Sequence, residues 1–420
     1  MKFPFLRLLV LAAAAWAGPS ACPAATNGLA QEAYVWQRAW NPPVLDAVSE
    51  HAAAFQGLVV LCAEVTWQRA QPQVVRVSPD YAALKAAGVP AGLALRIGSF
   101  AGPFATKDPP AVLLSGLAAA LVAEARAHGL AVRELQLDFD CASARLEGYH
   151  TWVTAIRQRI APVPLTITAL PDWLKQPAFG PLVAATDGYV LQAHSLAAPA
   201  GVDAPFTLCD PAAALRAVER AGEFNVPFRV ALPTYGYLLA FDRAGKFAGL
   251  SAEGPNRDWP VDAQLREVRS DPLAMAQLVR TWTTNHPATM RGVIWYRLPV
   301  AGDALNLHWP TVAAMMAGRS PREQAQAKGR RTEPGLVEIS LVNDGELDLT
   351  SPVTVAIRWA DARLTAGDGI GGFELAEDGP AAVRLQLSRP GHRLAAGEKQ
   401  IIGWLRLSED REVHCEILKN

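Results

Sequence analysis

Glu134-Leu135-Gln136-Leu137-Asp138-Phe139-Asp140-Cys141 alternates polar with apolar residues from its first position to its last. That is the two-residue period of a β-strand, so Leu135, Leu137 and Phe139 share one face while Gln136, Asp138 and Asp140 share the other. Upstream, Leu113, Leu117, Leu121 and Val122 recur at helical spacing, and Gly129 follows as a C-terminal stop. The chain repeats this helix-then-strand grammar. The predicted strands are 33–40, 57–66, 92–100, 134–141, 164–170, 188–194, 228–235 and 292–299, with a further helix starting at Asp210-Pro211 and running to Gly222. Parallel strands joined by helical crossovers give an α/β protein, and eight such units close most naturally into a (β/α)8 TIM-like barrel. A doubly wound open sheet is the alternative.

In a barrel, one strand face packs on the surrounding helices and must be apolar, and the other faces the lumen. Sorting by alternation puts Asp138, Asp140 and Gln136 of the fourth strand in the lumen, with Arg96 from the third, Thr166 and Thr168 from the fifth, Gln192 and His194 from the sixth, and Glu64 near the end of the second. This polar set converges at the C-terminal strand ends, where barrel enzymes place their sites. Arg96 beside Asp138 is also explained as a structural ion pair. Asp140, at the rim and two residues from a like charge, has the setting that raises a carboxyl pKa and suits a general acid, with Asp138 as its orienting partner. Glu64, Asp172 or a water would be the second component. Aromatic residues gather at or beyond the same ends: Trp36, Trp40, Trp67, Trp173, Tyr235, Tyr237, Trp295 and Tyr296. Flat rings among hydrogen-bonding groups suit a sugar, although aromatic residues also fill ordinary cores.

The remaining sequence bounds the setting. Of 420 residues half are apolar, and the formal charge is −1, which supplies a large core and gives no basic face for nucleic acid. Met1-Lys2 through Arg7, an apolar run from Leu8 to Ala17 and the small residues up to Cys22 read as a signal peptide over 1–25. The expected destination is periplasmic or extracellular, with no transmembrane helix in the mature chain. Cys22 offers a lipid anchor, although Pro19-Ser20-Ala21 lacks the Leu or Val that usually opens such a site. The other cysteines, Cys62, Cys141, Cys209 and Cys415, are too far apart for a metal or Cys-x-x-Cys motif, and either a disulfide or buried free thiols is compatible with them. After the barrel, assigned to 30–316, residues 317–335 read as a polar, basic linker. Short alternating segments over 336–420 then read as a β-sandwich.

Several chemistries lack their signatures. The chain contains no His-Glu-x-x-His, no Gly-x-Ser-x-Gly elbow and no glycine-rich phosphate loop after the first strand, so neither a metal nor a cofactor is expected. His194 could serve as a base or a metal ligand, but a lone His on an inward strand reads more readily as a hydrogen-bonded packing residue.

The 134–141 segment resembles the fourth-strand Asp-x-Asp-x-Glu signature of family 18 chitinase-like barrels. That resemblance implies an orienting role for Asp138 and the acid position for Asp140, with Gln136 replacing the first Asp and an Asp replacing the acidic Glu. The sixth strand departs from those enzymes, with Leu191-Gln192-Ala193-His194 where they carry Met-x-Tyr-Asp. A longer resemblance is to a bacterial family catalogued as domain of unknown function 3142. It is carried by Tyr34-Val-Trp36-Gln-Arg38-Ala-Trp40, Leu137–Cys141 with Tyr149, Leu191–His194, and Gly292-Val-Ile-Trp295-Tyr296-Arg297-Leu-Pro299. Together these readings imply an exported glycoside-hydrolase-like protein acting on a polysaccharide or envelope glycan. The competing expectation is a catalytically inactive glycan-binding or envelope-assembly protein on the same scaffold, and the missing Glu and the altered sixth strand favour it.

Overall fold

A computed structural model describes residues 28–418 apart from 70, 196–197, 253–258, 260, 351 and 389–391. The segment read as a signal peptide, with Cys22, lies outside the described residues. Eight parallel strands form one closed sheet: β1 (Ala30–Val35), β2 (Gly57–Gln68), β3 (Ala91–Ile97), β4 (Val132–Phe139), β5 (Leu165–Ala169), β6 (Gly188–Gln192), β7 (Phe228–Pro233) and β8 (Met290–Tyr296). β1 pairs with both β8 and β2, so the sheet has no open ends and the doubly wound alternative is excluded. Each strand is followed by a helix: α1 (Pro42–His51), α2 (Tyr81–Ala87), α3 (Pro109–Ala127), α4 (Leu146–Ile160), α5 (Phe179–Ala184), α6 (Pro211–Gly222), α7 (Pro272–Thr284) and α8 (Trp309–Met316). The predicted start of α6 is realised: the Asp210 side chain accepts from the backbone N–H groups of Ala212 and Ala213, and Pro211 opens the first turn. α3 ends with Gly129 in the left-handed region (φ 75°).

The alternation sorts residues as the sequence implies. Leu93, Leu95, Ile97, Leu135, Leu137, Phe139, Leu165, Ile167 and Leu191 pack with the helices in one large apolar cluster. The smaller cluster of Val59, Leu61, Ala94, Val190, Ala231 and Ile294 lies on the opposite, inward faces. Two additions dress the C-terminal rim. A strand at Gln71–Arg76 pairs antiparallel with the end of β2, and a three-stranded sheet after β7 comprises Gly236–Phe241, Phe247–Ser251 and Gln264–Arg269.

Beyond α8 two four-stranded antiparallel sheets face each other across Ile339, Leu341, Val355, Ile357, Leu385, Ile402 and Leu405. The residues read as a linker need correction. Ala325–Glu333 is an edge strand paired along Leu336–Asn343, and only 317–324 connect. Its sequence reads as a linker because an exposed edge needs no apolar face and is commonly charged. Ion pairs tie the sandwich to the barrel: His308 Nδ1 lies 2.8 Å from Asp348, and Arg393 reaches both Asp348 (3.1 Å) and Glu267 (2.9 Å) on the rim sheet. The four cysteines in the described residues are free.

Candidate functional site

Three tiers of inward side chains fill the barrel. The lowest is a buried ion network. Arg229 on β7 donates to both oxygens of Glu134 on β4 (2.8 and 2.7 Å) and also reaches Glu32 on β1. Thr166 donates to Glu134 at 2.6 Å, and Arg133 closes on Glu32 from outside at 2.7 Å. Burial alone would raise the Glu134 pKa; Arg229, Thr166 and Arg133 reverse that and hold it below the carboxylate norm. Gly92 makes room, since a Cβ there would stand 3.0 Å from Glu134 Cγ. In the second tier the Tyr34 hydroxyl donates to Gln136 Oε1 (2.8 Å), while Gln136 Nε2 donates down to Glu134 (3.1 Å).

The third tier opens at the C-terminal mouth as a cavity of about 310 Å3. Its polar wall is built on one guanidinium. Arg96 Nη1 is 2.8 Å from Asp138 Oδ2 and Arg96 Nη2 is 2.9 Å from Asp140 Oδ2, so the two carboxylates stand side by side on one fork. Thr168 donates to the other oxygen of Asp138 at 2.8 Å. Asp138 thus has both oxygens engaged, whereas Asp140 engages only Oδ2 among the described residues. Burial raises the Asp140 pKa, Arg96 opposes the rise, and the Asp138 charge adds to it; the net direction is upward. The like-charge effect expected from the sequence is therefore present but is smaller than burial.

The facing wall is aromatic. Trp36 and Tyr296 pack at 5.3 Å between centroids, and His194 lies over Tyr296 at 5.5 Å. Burial drives the His194 pKa down to about 3, so the imidazole is neutral. Burial, with the nearby Asp138 charge, pushes the Tyr296 phenol upward. Gln192, Tyr235, Tyr237 and Ser195 complete this side.

Asp138, Asp140, Arg96, Thr168, Gln192, His194, Tyr235, Trp36 and Tyr296 therefore meet at one cavity, as the alternation requires. Other candidates do not reach it. Trp295 points to the helices, fully buried, with its indole N–H on Gln31 (2.7 Å), because consecutive residues of a strand cannot share a face. Gln136 faces inward but one tier too deep, sealed beneath Tyr34. Glu64 is tied to Arg38 at 2.5 Å, outside the cavity lining. Asp172 sits exposed in the turn after β5, paired with Lys175 at 3.0 Å, and lines a different cavity. Trp173 is core, packed at 6.1 Å on Tyr149. Tyr34 and Ser195 are cavity residues that the sequence reading did not single out. Tyr34 could have been found by stepping back two residues from Trp36, but Ser195 lies past the end of β6, where alternation gives no guide.

No group of three or more His, Cys, Asp or Glu side chains among the described residues is arranged to hold a metal ion. No curated protein matches the chain. Among solved structures the chain is similar to a chitinase from Chromobacterium violaceum ATCC 12472, at 18% identity over 69% of this chain and 99% of that one, with a TM-score of 0.47. It is also similar to the spore cortex-lytic enzyme SleL of Bacillus cereus (12% identity, 70% and 74% coverage, TM-score 0.48) and to chitinase ChiA74 from Bacillus thuringiensis (10%, 93% and 100%, TM-score 0.45). Within the sandwich, residues 326–408 match a model described as Domain of unknown function (DUF8456). The barrel, over residues 93–301, matches the family described as Domain of unknown function (DUF3142).

Proposed function

We propose that this chain is an exported glycoside-hydrolase-like protein acting on a polysaccharide or envelope glycan, with Asp140 as general acid and Asp138 as its orienting partner. The observation that carries this reading is the unequal use of the Arg96 fork. Asp138, bonded by Arg96 and Thr168, has both oxygens engaged, whereas Asp140 keeps Oδ1 unengaged among the described residues and has an elevated pKa. Two adjacent carboxyl groups held in different environments are how one site keeps one ionised while the other carries a proton. The aromatic wall opposite supplies stacking faces for a sugar ring.

A shared guanidinium sets the two carboxylates beside each other, which does not fit the arrangement in which two carboxyl groups flank a sugar from opposite faces. The group that activates water, or the part of the substrate that attacks in its place, therefore lies elsewhere. The same fork favours a second reading, non-catalytic glycan binding, because Arg96 stabilises Asp140 as an anion. Wild type and Asp140→Asn incubated with a panel of labelled glycans separate the two. Product from wild type alone supports the acid role, and equal binding with no product from either protein refutes it.

A further inference from the structure

His194 begins a chain of hydrogen bonds that runs along the wall of the cavity. Its Nδ1 is 3.1 Å from the Tyr235 hydroxyl, Tyr235 donates to the Tyr237 hydroxyl at 3.2 Å, and Tyr237 is 2.7 Å from Ser195 Oγ. His194 and Tyr235 are buried, whereas Tyr237 and Ser195 are only half-buried. Ser195 lines both the Asp138 cavity and a second one of about 690 Å3 bounded by Leu170, Leu174 and α6. The path thus follows the wall of the first cavity and ends at Ser195, where that wall borders the second.

The direction of the chain follows from counting protons. A phenol has one hydrogen to donate. In the polarity with Tyr235 donating to Tyr237, the Tyr235 oxygen accepts from His194, whose Nδ1 then carries the proton. A neutral imidazole protonated at Nδ1 has a bare Nε2, and no described residue bonds Nε2.

We propose that His194, Tyr235, Tyr237 and Ser195 form a proton relay in which His194 Nε2 takes a proton from a water in the first cavity while Ser195 releases one into the second. In the step, the water O–H bond breaks and Nε2–H forms; Nδ1–H breaks as Tyr235 O–H forms. The protons of Tyr235 and Tyr237 each move one place along the chain, and the Ser195 hydroxyl proton passes to solvent water. The water's freed electron pair forms the new bond to the sugar carbon as the bond to the leaving oxygen breaks and Asp140 supplies that oxygen with a proton. The imidazole ends as neutral as it began, which suits a ring whose burial opposes a positive charge. The chemical purpose of the relay rests on the hydrolase reading, but its geometry does not.

The test needs no substrate. The full chain labelled with 15N-histidine is measured by long-range 1H–15N correlation, and His194→Asn identifies the resonance among the eight histidines. The expected wild-type ring is neutral with the proton on Nδ1, and Tyr235→Phe, which removes the acceptor, moves it to Nε2. A wild-type proton on Nε2, an imidazolium between pH 5 and 8, or a tautomer unchanged in Tyr235→Phe overturns the relay. Should Tyr235→Phe fail to fold, Tyr237→Phe at the half-buried end reads the same polarity by freeing Tyr235 to donate to His194. With a turned-over glycan in hand, His194→Asn is expected to lower kcat about 100-fold or more with little change in KM. A glycan panel without product, alongside the Nδ1 tautomer, removes the hydrolase reading and leaves the polarised relay standing.

Discussion

Arg229→Met tests the buried network that supports the cavity from below. The Arg229 side chain is 8% exposed and, among the described residues, is the only group bonding both oxygens of Glu134. Methionine keeps most of the stem's bulk and removes the charge. Glu32 retains Arg133, but Glu134 is left with Thr166 and Gln136, neither of which is charged. Removing one partner of a buried ion pair costs about 3–5 kcal/mol. For a barrel of this size, at roughly 2 °C per kcal/mol, the melting temperature should fall by about 6–10 °C at pH 7. The pH dependence carries a sign. In wild type the Glu134 pKa is depressed, so its contribution is present above the unfolded-state value and is lost as pH falls through the folded one. In the variant burial, the largest influence, is opposed only by Thr166 and Arg133, so the pKa rises, folding is penalised at neutral pH and the penalty fades as the carboxyl protonates. The gap between the two proteins should narrow by half or more between pH 7 and about 4.5. Differential scanning calorimetry at both pH values, at one scan rate, measures it. A fall below about 2 °C at pH 7, or a gap that does not narrow in acid, would refute the reasoning.

Three other outcomes are expected. Trp295→Ala should cost about 3–5 kcal/mol by urea unfolding and leave the glycan affinity of the folded fraction unchanged, whereas Trp36→Ala should weaken binding about tenfold at a smaller cost in stability. Asp348→Asn should weaken the barrel–sandwich contact by about 2 kcal/mol, read as two separated thermal transitions or faster proteolysis at 317–324. Although burial raises the Asp348 pKa, His308, the Ala396 N–H and Arg393 hold it below the norm, so the wild-type contact should hold above the ordinary carboxylate range and loosen as pH falls through the lowered value. Arg96→Met should raise the Asp140 pKa further, and in an active enzyme the basic limb of the kcat profile should move to higher pH.

What the sequence discloses follows from which physical rule each residue obeys. Alternation constrains every barrel strand, so the inward positions of Arg96, Asp138, Thr168 and Gln192 were legible without coordinates. Height along the axis was not, because inward-facing alone does not distinguish Gln136, capped by Tyr34, from Asp138 two residues on. Trp295 was misjudged for a plainer reason: Tyr296 already claimed the inward face. Applying the alternation to its end would have found Glu32, Glu134 and Arg229 as a lower tier. The Ala325–Glu333 strand could not be found by apolar period, since it is held by backbone hydrogen bonds to Leu336–Asn343 and presents polar side chains on an exposed edge. The bonds from His194 to Ser195 join residues up to 42 positions apart through a rim sheet that no local pattern announces.

The Arg96 fork also sets the electrostatic character of the cavity. Arg96 is the single cation among its lining residues, and it is shared between Asp138 and Asp140. With His194 neutral, the lining carries one net negative charge while Asp140 is ionised and none while it holds the proton an acid needs, and in neither state does it hold, among the described residues, a cation uncommitted to a protein carboxylate. A sugar bearing a carboxylate or sulfate would have to compete with Asp138 and Asp140 for the same guanidinium, in a recess where water screens poorly. On the glycan reading proposed above, uncharged and amino sugars are expected to bind at this mouth more tightly than acidic ones.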